Sequence, residues 1–360
     1  MPGLLYRPDW EQARRRLTKW WNGGDIGRPA MAVTAPRQQP VEDIPPVAPP
    51  DGDRTCPYTT KSVEYRVNRV LRDCASLHFL GEAVPYGAPG DVGPNSLALY
   101  LGCEGEERPD TTWFRPFIQD PDRDGFDYDP HNRYWTFTLE ATRRANALGR
   151  GRLLQQFPDF IEGLDTLAAM RGTLRLLTDL IERPAWVHRC LRRITDLYFR
   201  YYDIVYELIR DDVGGSVFWL WAPGRLVKLQ CDFSAMISPA MFREFMLPVL
   251  AEMTERVGYS LYHWDGPGAL CHHDALLSLP RLGMIQWQPG AGAEPAWHRR
   301  WWPMYHKTLE AGKKLMIWAD TSEQLLALKR EFGERSKQMY ITVSAATNEQ
   351  GQEALRVMEF

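Results

Sequence analysis

Apolar positions fall along this chain in two rhythms. Short runs that are apolar throughout, closed by Gly, Pro or Asp, alternate with longer segments whose apolar residues recur every three or four positions. The first rhythm describes strands buried on both faces, the second helices with one apolar stripe. Residues 9–22 read as an opening helix ended by Gly23-Gly24, and residues 29–34 as a first buried strand. Val63, Val67, Val70, Leu71, Cys74 and Leu77 share one face of a second helix, and residues 131–148 form another. Later helices announce themselves by their starts: Pro184 in a first turn, Ser238-Pro239, Thr321 with Gln324, and Thr347 with Gln350.

The apolar runs predict eight strands, near residues 31, 97, 152, 217, 260, 285, 315 and 341. Ser96–Gly102 is taken as the second and Ser216–Trp221 as the fourth; residues around Gln230–Phe233 read as a connection. Buried strands alternating with amphipathic helices mean a parallel sheet. Eight of them predict an α/β fold, a single (β/α)8 TIM-type barrel domain over residues 1–360, with an open doubly wound sheet as the alternative. The Pro-rich segment 36–60 and the acidic segment 104–130 are long loop insertions.

Composition narrows the function classes. A net charge of -3 gives no case for nucleic acid, and no apolar run approaches membrane-spanning length. The N-terminus has no signal-peptide pattern, and six cysteines lie without CxxC spacing, so a reducing cytoplasm is the expected location. Tryptophan is the outlier, with 14 in 360 residues. Its flat face stacks on sugars or surrounds cations.

Candidate chemistry centres on Tyr259–Gly268, a strand that gives way to the turn Gly266-Pro-Gly268. A period of two puts His263 and Asp265 on one side and Trp264 on the other. In a barrel the chemistry lies at carboxyl ends of strands, which selects Glu104, Asp159, Trp221, Asp232, His263, Asp265, Gln286, Trp287, Asp320 and Ser344 as one rim. Catalysis is expected of Asp265, His263 and Asp232. Substrate binding is expected of Trp221, Trp264, Trp287 and Trp318 as the dominant wall, with Gln286 and Asp320. His272-His273 point about 100° apart on a helix and are expected to cap or solvate it.

Ile237-Ser-Pro-Ala-Met-Phe-Arg-Glu-Phe-Met-Leu-Pro248, followed by a strand ending in His263, resembles the uroporphyrinogen decarboxylase superfamily. Gly27-Arg-Pro29 and residues 151–165 resemble it more weakly. The resemblance implies a (β/α)8 barrel, a small-molecule substrate and, in its zinc-dependent methyltransferases, a corrinoid protein partner. Those relatives carry a His-x-Cys pair where this chain has His263-Trp-Asp265, and a further cysteine where it has Ser344-Ala345-Ala346. The resemblance therefore implies a divalent metal site of His263 and Asp265 with Cys231 or Asp232, holding zinc or a harder ion, with a cofactor-free site as the alternative. Arg37 answers to one of the family's substrate-binding arginines, while a second arginine and a late histidine are missing, so uroporphyrinogen is not the expected substrate.

Four readings follow. The first is metal-assisted group transfer, most simply of a methyl group. The second is glycoside hydrolysis or other carbohydrate chemistry by a carboxylate pair among Asp232, Asp265, Asp320 and Glu294, with Trp219, Trp297 and the wall tryptophans as stacking platforms. A cofactor-free decarboxylase and a non-catalytic ligand-binding barrel are the others. Cys231 reads as a small buried hydrophobe ahead of a ligand. Oligomerisation stays open.

Overall fold

The computed structural model describes residues 3–360. Among the described residues, thirteen strands follow one another. They are β1 Ala30–Pro36, β2 Leu77–Gly81, β3 Tyr86–Gly87, β4 Glu104–Glu107, β5 Thr112–Arg115, β6 Leu154–Gln155 and β7 Ser216–Phe218. After these come β8 Leu220–Ala222, β9 Leu226–Gln230, β10 Tyr259–Asp265, β11 Met284–Gln288, β12 Lys314–Trp318 and β13 Met339–Ser344. Seven form the central sheet in the order β2-β1-β13-β12-β11-β10-β9. All its pairings are parallel except β1 with β2. Short pairings stand apart from it: β3 lies parallel to β6, and Gln156 bridges Val217 within β7.

Helices cover this sheet, and a core of buried residues runs from Leu4 to Met358. The Trp10–Trp21 helix buries Trp10, Leu17, Trp20 and Trp21. The Pro184–Ile209 helix starts at proline and buries a stripe including Val187, Leu191, Ile194 and Tyr198, as its spacing requires. The box of Thr321 with Gln324 caps the Ser322–Phe332 helix. Among the described residues no helix is long and apolar enough to cross a membrane.

Three expectations are corrected. Residues 96–100 are a helix, because Asn95 Oδ1 accepts from Ala98 N at 3.1 Å and starts one where strand formers suggested otherwise. Residues 216–221 do not run straight: β7 and β8 are an antiparallel pair folded at Trp219, whose φ is 59°. That bend is held by Trp219 N–H donating to Gln156 Oε1 at 2.7 Å, and by Ser216 Oγ accepting from Leu226 N at 3.1 Å. The central strand following it is β9, Leu-Val-Lys-Leu-Gln, every residue of which is buried. Its lysine disguised it. Within 36–60 the only helical turn is Gly52–Arg54, and within 104–130 β4 and β5 form a hairpin.

Candidate functional site

Register decides which side chains meet. His263 on β10 lies opposite Gln230 of β9 and Gln286 of β11. Gln286 in turn lies opposite Met316, and Trp318 opposite Thr342 and then Ala32. With a period of two, Lys228, Gln230, His263, Asp265, Gln286, Met316, Trp318, Thr342 and Ala32 all occupy one face of the sheet. Its β9–β11 half is polar and its other half apolar.

The polar half converges on Asp232, His263 and Asp265. One ligand atom from each lies within 4.8 Å of the others, and His263 Nε2 stands 4.0 Å from Asp265 Oδ2. Gln286 Oε1 accepts from His263 Nδ1, which places the imidazole proton on Nδ1 and leaves the Nε2 lone pair facing the carboxylates. Burial and the Lys228 charge push His263 down to about 4, so the ring is neutral at pH 7. Burial first, then the Asp232 charge, raises Asp265. Gln230 Nε2 donates to Asp232 Oδ2 at 3.1 Å, and the Asp232 and Phe233 amides each donate to Asp165 at 2.8 Å. Asp232 is thereby held from both ends.

Behind this cluster lies a buried charge network. Lys228, 2% exposed, forms an ion pair with Asp159 and donates to Gln230 Oε1 at 2.6 Å. Glu162 is fully buried, accepts from Gln230 N at 2.9 Å, and is raised by burial to about 8. Burial and then the Asp232 charge carry Asp165 to about 7, and burial lifts Asp159 to about 6. One ammonium facing several carboxylates leaves a surplus of negative charge that protons or a cation must balance.

Two openings flank the cluster. A groove of about 360 Å³ is lined by Asp232, Asp165, Phe233, Met236, Trp113 and Phe114. A bay of about 470 Å³ is lined by Trp219, Trp318, Phe79, Tyr86, Thr34 and Thr342, among others. Trp219 stands between the bay and the cluster, its ring edge-on to His263 at 5.5 Å between centroids.

The expected wall is corrected accordingly. Trp318 lines the bay, but Trp221, Trp264 and Trp287 are 0–1% exposed and line neither opening. Trp264 and Trp287 are register partners on the opposite face from His263 and Gln286, and their rings pack against each other at 5.2 Å. Trp221 follows the bend at Trp219 and points among Trp10 and Asp211, to which its Nε1 donates at 2.8 Å. Cys231 does not join the donors: its extended backbone, φ −156°, sends the thiol away from the Gln230 and Asp232 side chains, and burial keeps it protonated. Arg37 lies beyond β1, with Nε donating to Leu77 O at 2.8 Å. Asp320 is an exposed helix-start residue whose N–H donates to Gln324 Oε1 at 2.7 Å. His272 and His273 are buried, not solvating a helix. His272 Nε2 meets Ser234 O and His273 Nε2 meets Thr308 Oγ1, each at 2.9 Å.

Sequence reasoning missed Lys228, Glu162 and Asp165. The alternation within β9 could have exposed Lys228, but the two carboxylates lie in a loop and a helix start without strand periodicity.

The donor set suits a divalent cation. Ligand atoms about 2.1 Å from a shared ion lie roughly 3–4.2 Å apart; the 4.0 Å between His263 Nε2 and Asp265 Oδ2 falls inside that span, and the three donors lie within 4.8 Å of one another. One imidazole and two carboxylates are borderline-to-hard ligands, fitting zinc, manganese or iron better than a thiolate-selective site would. No protein-family model matches the chain, and no curated protein matches it.

Proposed function

We propose that this chain is a uroporphyrinogen decarboxylase-like barrel enzyme performing metal-assisted group transfer, most simply of a methyl group. One observation carries the reading. The His263 Nε2 lone pair and the carboxylates of Asp232 and Asp265 converge, so three electron-pair donors face one another. A cation relieves that repulsion. What supports a barrel is that the separate β3–β6 pairing and the Gln156–Val217 bridge are parallel and involve segments lying between β2 and β9 in the chain, where the remaining barrel strands would be.

Asp232, His263 and Asp265 would hold the ion, which would supply Lewis acidity to a thiol or oxygen group placed beside it. Gln286 fixes the imidazole proton on Nδ1 and orients the ring. Asp165 and Gln230 fix Asp232. Lys228 and its partner Asp159 keep a charge pair behind the cluster, and Trp219 shields its bay side from water.

Elemental analysis of chain purified without chelators tests this. Stoichiometric zinc, manganese or iron, lost in Asp265→Asn, is the expected result. Chain that is metal-free and stays so when supplied with each ion would overturn it.

A further inference from the structure

We propose that the bay beside Trp219 is a binding site for a compact N-methylated ammonium compound, with Asp73 as its counter-charge and Trp219 and Trp318 as its aromatic walls. The site is separate from the donor cluster and does not rest on it.

The lining comes first. Trp219, Trp318, Phe79 and Tyr86 line the bay, and Asp73 is the charged residue among its lining. Aromatic faces attract a cation through their negative π-surface, and a carboxylate adds direct attraction. Asp73 lies in the last turn of the Val63–Ala75 helix. Its side chain feels Arg69 and Arg72 of the same helix but makes no hydrogen bond or ion pair among the described residues. A carboxylate without a partner thus stands in an aromatic bay.

The surrounding charges point the same way. Cys74 and Leu77 line the bay beside Asp73, so it lies against the carboxyl end of that helix. A helix carries partial negative charge there, which favours a cation. Beyond Trp219 stand the carboxylates of Asp232 and Asp265, with the indole edge-on to His263. Neither nearby cation lines the bay. Lys228, with Nζ 6.0 Å from the Trp219 centroid, has its charge matched by Asp159, and Arg37 donates to Leu77 O.

The head group follows from what the bay lacks. A primary ammonium carries three N–H donors, and each needs an acceptor once it leaves water. The lining is mostly apolar and offers Asp73 as its charged acceptor. Methyl groups in place of those hydrogens keep the charge, need no acceptor and pack on aromatic faces. A sugar is disfavoured for the same reason, since its ring of hydroxyls calls for many partners. About 470 Å³ holds such a head with a short body.

Trp219 is also the single non-glycine residue with positive φ among the described residues. Glycine would hold that bend without strain, so the turn itself does not need an indole. The strain keeps an aromatic wall of the bay in place.

Calorimetric titration of the chelator-treated full chain tests this. The probes are choline, benzyltrimethylammonium and the tert-butyl analogue of choline, in which carbon replaces nitrogen and the charge is lost. Saturable binding of at least one cation is expected, with the uncharged analogue weaker than choline by about tenfold or more. Asp73→Asn keeps the side chain's size at an exposed position, and should weaken cation binding about tenfold at an unchanged melting temperature. Trp318→Ala should weaken it by about as much; should that variant unfold, Asp73→Asn decides. Binding of neither cation, equal binding of choline and its uncharged analogue, or undiminished binding in Asp73→Asn would overturn the proposal. Because no metal is present, these results do not touch the donor cluster, and a chain that binds choline but never a metal would sink only the proposed function.

Discussion

Glu162→Gln is the cleanest probe of the buried charge network. Glu162 is 0% exposed, and its Oε1 accepts from Gln230 N at 2.9 Å, a bond that a glutamine oxygen can keep. Burial lifts its carboxyl from 4.5 to about 8. The folded chain therefore binds a proton that the unfolded chain releases above 4.5, so this group's contribution falls as pH rises through that window. The slope is about 1.4 kcal/mol per pH unit while the folded group stays protonated. Between pH 6 and pH 8 that amounts to about 2.5 kcal/mol. With an unfolding entropy near ~2.1 cal/mol/K per residue over 360 residues, it corresponds to about 3 °C in melting temperature. Glutamine carries no proton to lose. Near pH 6 the variant should lie within about 1 kcal/mol of the parent, and by pH 8 it should be the more stable. Asp159 and Asp165 tilt both proteins the same way, so their difference isolates Glu162. Urea unfolding at pH 6, 7 and 8 measures it. Parallel stability curves would refute a protonated, buried Glu162.

Other perturbations follow from the same geometry. Lys228→Met leaves Asp159 without its buried partner and should cost about 3–5 kcal/mol in urea unfolding at pH 7, much of it regained by adding Asp159→Asn. Asp265→Cys should introduce a thiolate charge-transfer band in the near-ultraviolet spectrum of the cobalt(II)-loaded chain, a band the parent lacks because Cys231 turns away. Gly215→Ala would place a Cβ 2.3 Å from Trp221 Nε1 and should destabilise by about 1–3 kcal/mol in thermal unfolding, because that indole is locked by Asp211.

The legible parts of the fold were those whose residues obey one period. β10, β11, β12 and β13 are apolar runs with clear ends, and the capped starts at Ser238, Thr321 and Thr347 form as their side chains dictate. Parity on β10 also gave His263 and Asp265 a common face. The same rule should have removed Trp264 from the wall, and it removes Trp287 through register. What stayed hidden depends on tertiary partners. Trp219 bends the chain because Gln156, sixty-three positions earlier, accepts its N–H. Lys228 is tolerated inside β9 because Asp159 meets it from another loop. Neither partnership leaves a trace in local periodicity.

Calorimetric titration of zinc and of manganese into the chelator-stripped chain, beside His263→Ala, tests the donor cluster most directly. Saturation at one ion per parent chain is expected, with no binding heat in His263→Ala while its unfolding curve stays cooperative. Undiminished binding in His263→Ala, or no binding by the parent, would contradict a metal centre at Asp232, His263 and Asp265.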